Sequence, residues 1–311
     1  MATWRSLGDV PADVGPSVVT VGNFDGVHRG HRRVIDCARQ TADELGIDRV
    51  VAVTFDPHPL AVLRPDHAPQ ALTDLPEKAR LLDQAGVRDV LVVPFSRDVA
   101  GWPPERFVLD ILVRGLQARA VVVGENFRFG NQAAGDVATL EQLGAEHDFV
   151  TVAVPLAGGR RVWSSTYIRE CLAAGDVAAA AEALGRPYSV RGVVVEGEHR
   201  GRQLGFPTAN VPAAGDHAVP ADGVYAGWLR VSGGPPEPAA ISVGTNPTFA
   251  GDRARAVESY VLDRDDLELY GVEVEVAFVA RIRGMARFDS VEELVATMKD
   301  DVATTRGLLH V

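Results

Sequence analysis

Val18–His31, VVTVGNFDGVHRGH, decides the fold of the first half of the chain. It opens as a β-branched run that starts at Ser17 and stops at Gly22, the pattern of a strand buried on both faces. A glycine-containing turn follows, and a helical pattern runs from His31 to Leu45. The same alternation repeats outward. Apolar runs at Val50–Thr54, Val90–Val93 and Ala120–Val123 are separated by helical patterns at Glu77–Ala85 and Pro104–Leu116. Strands alternating with helices predict a parallel sheet wrapped by helices, whose ligands sit at the carboxyl ends of its strands.

Near Gly185–Pro187 the period changes. Beyond it apolar residues alternate, most clearly in Glu273–Arg283, where Val274, Val276, Phe278, Ala280 and Ile282 are expected on one face. Ser189–Val195, Gly223–Val231, Ala239–Val243 and Val257–Leu262 read as further strands, which predicts a small barrel or sandwich. Ser290 and Glu293 form a capping-box pattern ahead of a last helix, whose stripe of Val291, Leu294, Val295, Met298 and Val302 is expected to pack on the β domain. A length of 311 residues suits two domains. The net charge of −11 argues against a protein that coats nucleic acid or an anionic membrane. The start, MATWRSLGDVP, has no signal-peptide pattern, and no run approaches the ~18 apolar residues of a membrane span. The two cysteines, Cys37 and Cys171, fall in helical patterns and read as packing residues, in keeping with a reducing cytoplasm.

Three segments carry chemistry. His28 and His31 bracket Gly30 at the start of a helix, where unpaired N–H groups and the helix dipole attract phosphate. Two imidazoles there can stabilise charge that develops as a phosphorus is attacked. A zinc site lacks a suitably spaced further ligand. In Ser164–Arg169, SSTYIR, the hydroxyls alone read as caps. Arg169 near a helix start is unfavourable without an anion, and reads as a clamp on pyrophosphate. In Gly192–Asn210, Gly197, Gly201 and Gly205 suggest a phosphate-covering flap or a plain hairpin loop. Pro207 fixes the chain before Thr208 and Asn210, whose oxygens suit Mg²⁺ or a simple turn. Glu258 lies in an alternating strand, either on a solvated face or as a base.

VGNFDGVHRGH, TFDPHP (Thr54–Pro59), VVVGENFRFG (Val121–Gly130) and SSTYIR occur in that order, followed by LGFPTAN, ISVGTNPTF (Ile241–Phe249), VESYVLD and the RFDS-led helix at Arg287. Across nearly the whole chain this set resembles the bifunctional bacterial riboflavin kinase/FMN adenylyltransferases, also called FAD synthetases. The resemblance implies a Rossmann-like, nucleotidyltransferase-type α/β domain over 1–186 and a six-stranded antiparallel β-barrel with a terminal helix over 187–311. It implies ATP against Gly22, Phe24, His28, Gly30, His31, Ser164, Thr166 and Arg169, and flavin against His58, Pro59 and Asn126, where many members carry Asp. In the second domain it implies ATP against Gly201, Gly205, Pro207 and Asn246, with the Gly244–Phe249 loop near the substrates. There Mg²⁺ would sit on Thr208 and Asn210, with Glu258 as general base; Glu198 departs from the usual flap residue. The implied activities are ATP-dependent conversion of riboflavin to FMN and then of FMN to FAD. The partners are small molecules, with no nucleic acid or membrane, in a cytoplasmic monomer or transient homo-oligomer. Two other readings stay open: an adenylyltransferase whose β domain only holds substrate, and a catalytically idle flavin sensor.

Overall fold

The computed structural model describes residues 1–159, 161–196, 204–213, 215–231, 233–245, 255–264 and 266–311. The chain divides into two compact units, Met1–Ser165 and Thr166–Val311.

The first unit contains β1 (Ala2–Trp4), β2 (Ser17–Val21), α1 (Arg29–Leu45), β3 (Val50–Asp56), α2 (Pro59–Leu63) and α3 (Leu75–Gln84). It continues with β4 (Asp89–Pro94), α4 (Arg97–Ala100), α5 (Pro104–Phe107), β5 (Ala118–Gly124), α6 (Val137–His147) and β6 (Val150–Val154). The six strands are all parallel, in the order β1-β4-β3-β2-β5-β6. The β-branched runs are unbroken because each strand feeds two cores. Val19, Val21, Val51, Val53, Leu91, Val121 and Val123 face one, with Ile111, Leu112 and Leu140. Val18, Val50, Ala120 and Val122 meet Ala38 and Ala42 of α1 on the other, while Ala52, Val90 and Val92 meet Ile35, Leu81 and Leu82. Each such fully buried valine or leucine contributes about 1.5–3 kcal/mol. The helix expected over 104–116 differs from a plain α-helix. After α5 the chain winds as a π-helix, Val108–Gly115, and Leu116 N still bonds back to Ile111 O at 2.9 Å.

The second unit holds α7 (Ser165–Ala174, from its second residue), α8 (Val177–Leu184), β7 (Tyr188–Val193), β8 (Thr208–Pro212), β9 (Gly223–Val231) and β10 (Pro236–Thr245). β11 (Arg255–Val261), β12 (Glu273–Arg283) and α9 (Val291–Leu309) complete it. The strands form one six-stranded antiparallel sheet, β7-β12-β9-β10-β11-β8. It curls until its edges meet: Val195 N, just past β7, donates to Asn210 O of β8 at 2.9 Å. A side chain at Gly192 would stand 2.6 Å from Val211 Cγ1, so the closure needs a glycine there. This is a barrel, not a sandwich.

The expected face of β12 holds for Val274, Val276 and Phe278, which are buried, while Ala280 and Ile282 are half-buried. The pairing passes from Phe278–Gly227 to Ala280–Ala226, so Val279 is an extra residue that bulges the strand and breaks the alternation. α9 begins at Ser290 as expected, with half of the capping box: Ser290 Oγ accepts from Glu293 N at 3.1 Å, while the Glu293 carboxylate accepts from Asp289 N at 3.0 Å instead of from Ser290 N. Val291 is exposed and stands off the stripe. Cys37 and Cys171 are both free thiols. Among the described residues no helix is long and apolar enough to cross a membrane.

Candidate functional sites

In the first sheet the chain moves from β2 to β3 and β4 on one side, then crosses to β5 and β6 on the other. The carboxyl ends of β2 and β5 therefore flank the topological switch point, where such sheets bind ligands. The loop after β2 carries Gly22 and Phe24; the turn after β5, closed by Phe127 N on Gly124 O at 2.9 Å, carries Asn126, which is exposed.

His28 is the N-cap of α1, and its Nδ1 accepts from His31 N at 3.3 Å. That bond puts the proton of a neutral ring on Nε2. The two imidazoles stack with centroids 3.6 Å apart, and the Phe24 ring meets His31 edge-on at 5.2 Å. Gly30 permits this arrangement. A Cβ there would lie 3.0 Å from the His28 ring and 3.3 Å from Trp163 O. Burial, then His28, then Lys78 hold the His31 imidazole well below the usual histidine range, so it is neutral near pH 7. Its Nδ1 is buried without a hydrogen-bond partner.

The loop is fastened by Asp25, which sequence reading passed over. Its buried carboxylate accepts from Leu72 N at 3.0 and 3.1 Å and from Thr73 N at 3.1 Å. Gly26 N donates to Thr73 Oγ1 at 3.1 Å, and Ser165 Oγ donates to Asp25 O at 2.8 Å. Ser165, between the two hydroxyl residues singled out by the SSTYIR pattern and last in the first unit, is thus tied to the loop. Ser164 precedes it, while Thr166 and Arg169 follow on α7 in the second unit. His58 caps α2, whose first residue is Pro59: its Nδ1 accepts from Leu60 N at 3.1 Å, and its Nε2 shares a hydrogen bond with the Asn23 amide at 3.2 Å. The β2 loop and the His58 turn are thereby joined.

In the barrel the register aligns one residue from each of five strands: Arg283, Val224, Ser242, Glu258 and Asn210 are successive cross-strand partners. Directly paired residues share a face. On β11, Val257, Ser259 and Val261 turn into the barrel core, so Glu258 and Tyr260 turn the other way. They face an open cavity of about 740 Å³, mouth included, which Thr208, Ser242, Met298 and Asp301 also line. Leu294, Met298 and Val302 of the terminal helix form part of this cavity's wall, a use beyond the simple packing expected of them. Across the row Arg283 grips Asp301 of α9 through Nε at 2.9 Å and Nη2 at 2.7 Å. Asn210 is buried, and its amide nitrogen donates to Thr208 O at 3.2 Å and Thr208 Oγ1 at 3.4 Å. Gly205, at φ +84°, and Pro207 lead into β8. Gly197, Glu198, Gly201 and Asn246, with the rest of the loop to Phe249, lie outside the described residues.

A Rossmann-like module with a histidine-capped helix at its switch point, followed by a six-stranded barrel with a carboxylate over a cavity, defines a two-module class of protein. Comparison narrows it. The FAD synthetase family model matches residues 10–167 and the riboflavin kinase model residues 184–309. The bifunctional riboflavin kinase/FMN adenylyltransferase of Escherichia coli K12 is 39% identical over 93% of this chain and 91% of its own. The protein of the same description from Bacillus subtilis 168 is 35% identical over 92% and 90%. A crystal structure described as a macrolide-efflux protein from Streptococcus pneumoniae superposes with a TM-score of 0.88 at 32% identity, over 98% of both chains. The chain belongs to the bifunctional riboflavin kinase/FMN adenylyltransferase family.

Proposed function

We propose that the barrel phosphorylates riboflavin with ATP and that the α/β module then adenylylates FMN with a second ATP. The observation that carries this reading is that the family match spans both units and each unit holds its own phosphate-suited constellation. The functional division we assign is 1–186 for adenylyl transfer and 187–311 for the kinase.

In the kinase reaction Glu258 takes the proton of the ribityl 5′-hydroxyl as its oxygen attacks the γ-phosphorus. The bond from that phosphorus to the β-phosphate oxygen breaks, and ADP leaves. The apolar walls of the cavity, among them Phe206 and Phe288, suit an isoalloxazine ring. The hydroxyl of Thr208 and the amide oxygen of Asn210, two residues apart on one strand face and beside Glu258, are hard donors that fit Mg²⁺. Mg²⁺ bound there would neutralise charge on the ATP phosphates. Gly201, Gly205, Pro207 and Asn246 are assigned to that ATP.

In the adenylyl step an FMN phosphate oxygen, already ionised at neutral pH, attacks the α-phosphorus and pyrophosphate leaves. No base is needed; what matters is position and charge. His28 and His31 present N–H groups at the α1 N-terminus, and the orphaned Nδ1 of His31 supports a ligand partner there. Ser164, Thr166 and Arg169 are assigned to ATP and the leaving pyrophosphate, and His58, Pro59 and Asn126 to the flavin. Free thiols suit a reducing cytoplasm, where we assign the protein to work alone or as a transient homo-oligomer on small molecules.

Incubating the pure protein with riboflavin and Mg-ATP, with products separated by chromatography, tests the reading. FMN followed by FAD is expected. FAD from supplied FMN alone would reduce the barrel to a substrate holder, and unaltered bound riboflavin would make the chain a sensor.

A further inference from the structure

One cation beside the adenylyl-transfer site has no place in the reaction as described so far. Lys78 lies in the apolar stripe of α3, three residues after Leu75 and three and four before Leu81 and Leu82. Those leucines pack on Phe24 and Val27 of the β2 loop. A lysine at such a position belongs to the face a helix buries. The start of α3 is also bolted to that loop, because Asp25 and Gly26 bond to Leu72 and Thr73, immediately before its N-cap Asp74.

The neighbouring charges are accounted for differently. Arg80 is held by Glu77 through two bonds, at 2.7 and 2.6 Å. The Asp25 carboxylate is committed to the Leu72–Thr73 backbone. The Lys78 ammonium makes no hydrogen bond or ion pair at contact distance with any described residue, although it is half-buried. Its electrostatic neighbours are His31, Asp25 in the loop after β2 and Asp56, the last residue of β3. Desolvation lowers its pKa, while the two carboxylates oppose that shift. A partly desolvated cation beside the imidazole pair, with no counter-ion at contact distance among the described residues, is arranged for an anion that comes and goes.

The geometry points to Lys78 as a further catalytic residue of adenylyl transfer, one that holds the β,γ-phosphates of ATP and takes up charge as pyrophosphate departs. In that step the bond between the α-phosphorus and the bridging oxygen breaks, its electron pair passes to pyrophosphate, and the Lys78 ammonium faces the oxygens that gain charge. This inference rests on the adenylyltransferase reading of the first unit.

The test uses the full chain and its Lys78→Met and Lys78→Arg variants, with supplied FMN and Mg-ATP and with inorganic pyrophosphate as product inhibitor. Lys78→Met should lower kcat/KM for FAD formation on the order of 10²-fold, the scale for removing one preorganised charge-stabilising donor. It should weaken inhibition by pyrophosphate, and Lys78→Arg should restore much of both. A lysine that only props α3 would instead lower the melting temperature and leave pyrophosphate inhibition unchanged, which overturns the proposal. So does a Lys78→Met variant within about threefold of the parent, far below the donor scale. If the parent itself makes no FAD from FMN, the reading of the whole unit falls; if it does and Lys78→Met matches it, only the role of Lys78 falls.

Discussion

The two regions we assign to phosphate are built on opposite plans. The first is a continuous loop: Gly22 to His31 leaves one strand and enters one helix, and every group it offers lies within ten residues. The second is a row across five strands, in which Glu258 meets Asn210 on one side and Ser242 on the other through register alone. The difference follows from the chemistry each plan serves. Adenylyl transfer to an ionised phosphate needs donors and positive potential, which a helix start supplies from its own backbone. Phosphorylation of an alcohol also needs a base, and a strand can set a carboxylate opposite the proposed cation-binding pair and beside a cavity.

The strongest way to break this contrast is to remove the base. Glu258→Ala should cut FMN formation by about 10²–10⁴, the usual contribution of a general base, yet leave conversion of supplied FMN to FAD intact. A variant that kept more than about a tenth of the kinase rate would take Glu258 out of that role. His31→Ala is the mirror experiment. FAD formation should fall by about 10²–10³ while FMN accumulates, and normal FAD output would detach His31 from the site.

The same histidine gives a pH test. The folded His31 pKa lies below the unfolded value near 6.5, so the unfolded chain binds more protons in the window between them. The stability that neutral His31, half-buried, contributes is present above that unfolded value and is lost as pH falls through the folded one. The parent's resistance to denaturation should fall over this window on acidification, and His31→Ala should lose that part of the slope. Calorimetry in buffers of different ionisation enthalpy should also register proton uptake when ATP binds, since phosphate favours the charged ring.

How much was legible in the sequence follows from these two plans. The loop could be read because its parts are contiguous: a buried run, a glycine turn and two histidines need no tertiary information. Asp25, Ser165 and Lys78 were less visible, because the groups they act on lie 47, 140 and 47 positions away, at Leu72, Asp25 and His31 respectively. Lys78 did leave a trace, as a charge inside an apolar helical stripe. In the barrel, alternation found β9 and β12 to the residue, but alternation cannot give register. The bulge at Val279, the partnership of Glu258 with Asn210 and the Arg283–Asp301 pair all depend on which strands neighbour which.

Asp25→Ala probes the loop's dependence on distant backbone. It strands the N–H groups of Leu72 and Thr73, at a cost of about 1–3 kcal/mol, measurable by urea denaturation. FAD formation should decline with it, and riboflavin phosphorylation should not. Equal loss of both activities would mean that the loop does not act locally.

The smallest expected effect probes the row. Its cavity is closed by Leu294, Met298, Asp301 and Val302 of α9, residues that depend on a helix beginning at Ser290. Ser290 Oγ satisfies the Glu293 N–H, so Ser290→Ala should cost about 1 kcal/mol as the first turn frays. Leu294 sits in that fraying turn, whereas Asp301 lies two turns deeper and is held by Arg283. The variant should therefore bind riboflavin more weakly, read as a raised KM, with kcat for phosphorylation nearly unchanged because Glu258 and Asn210 keep their register. An unchanged KM would mean that the first turn of α9 does not contribute to the flavin wall; a fall in kcat alone would tie the helix to the base rather than to the cavity.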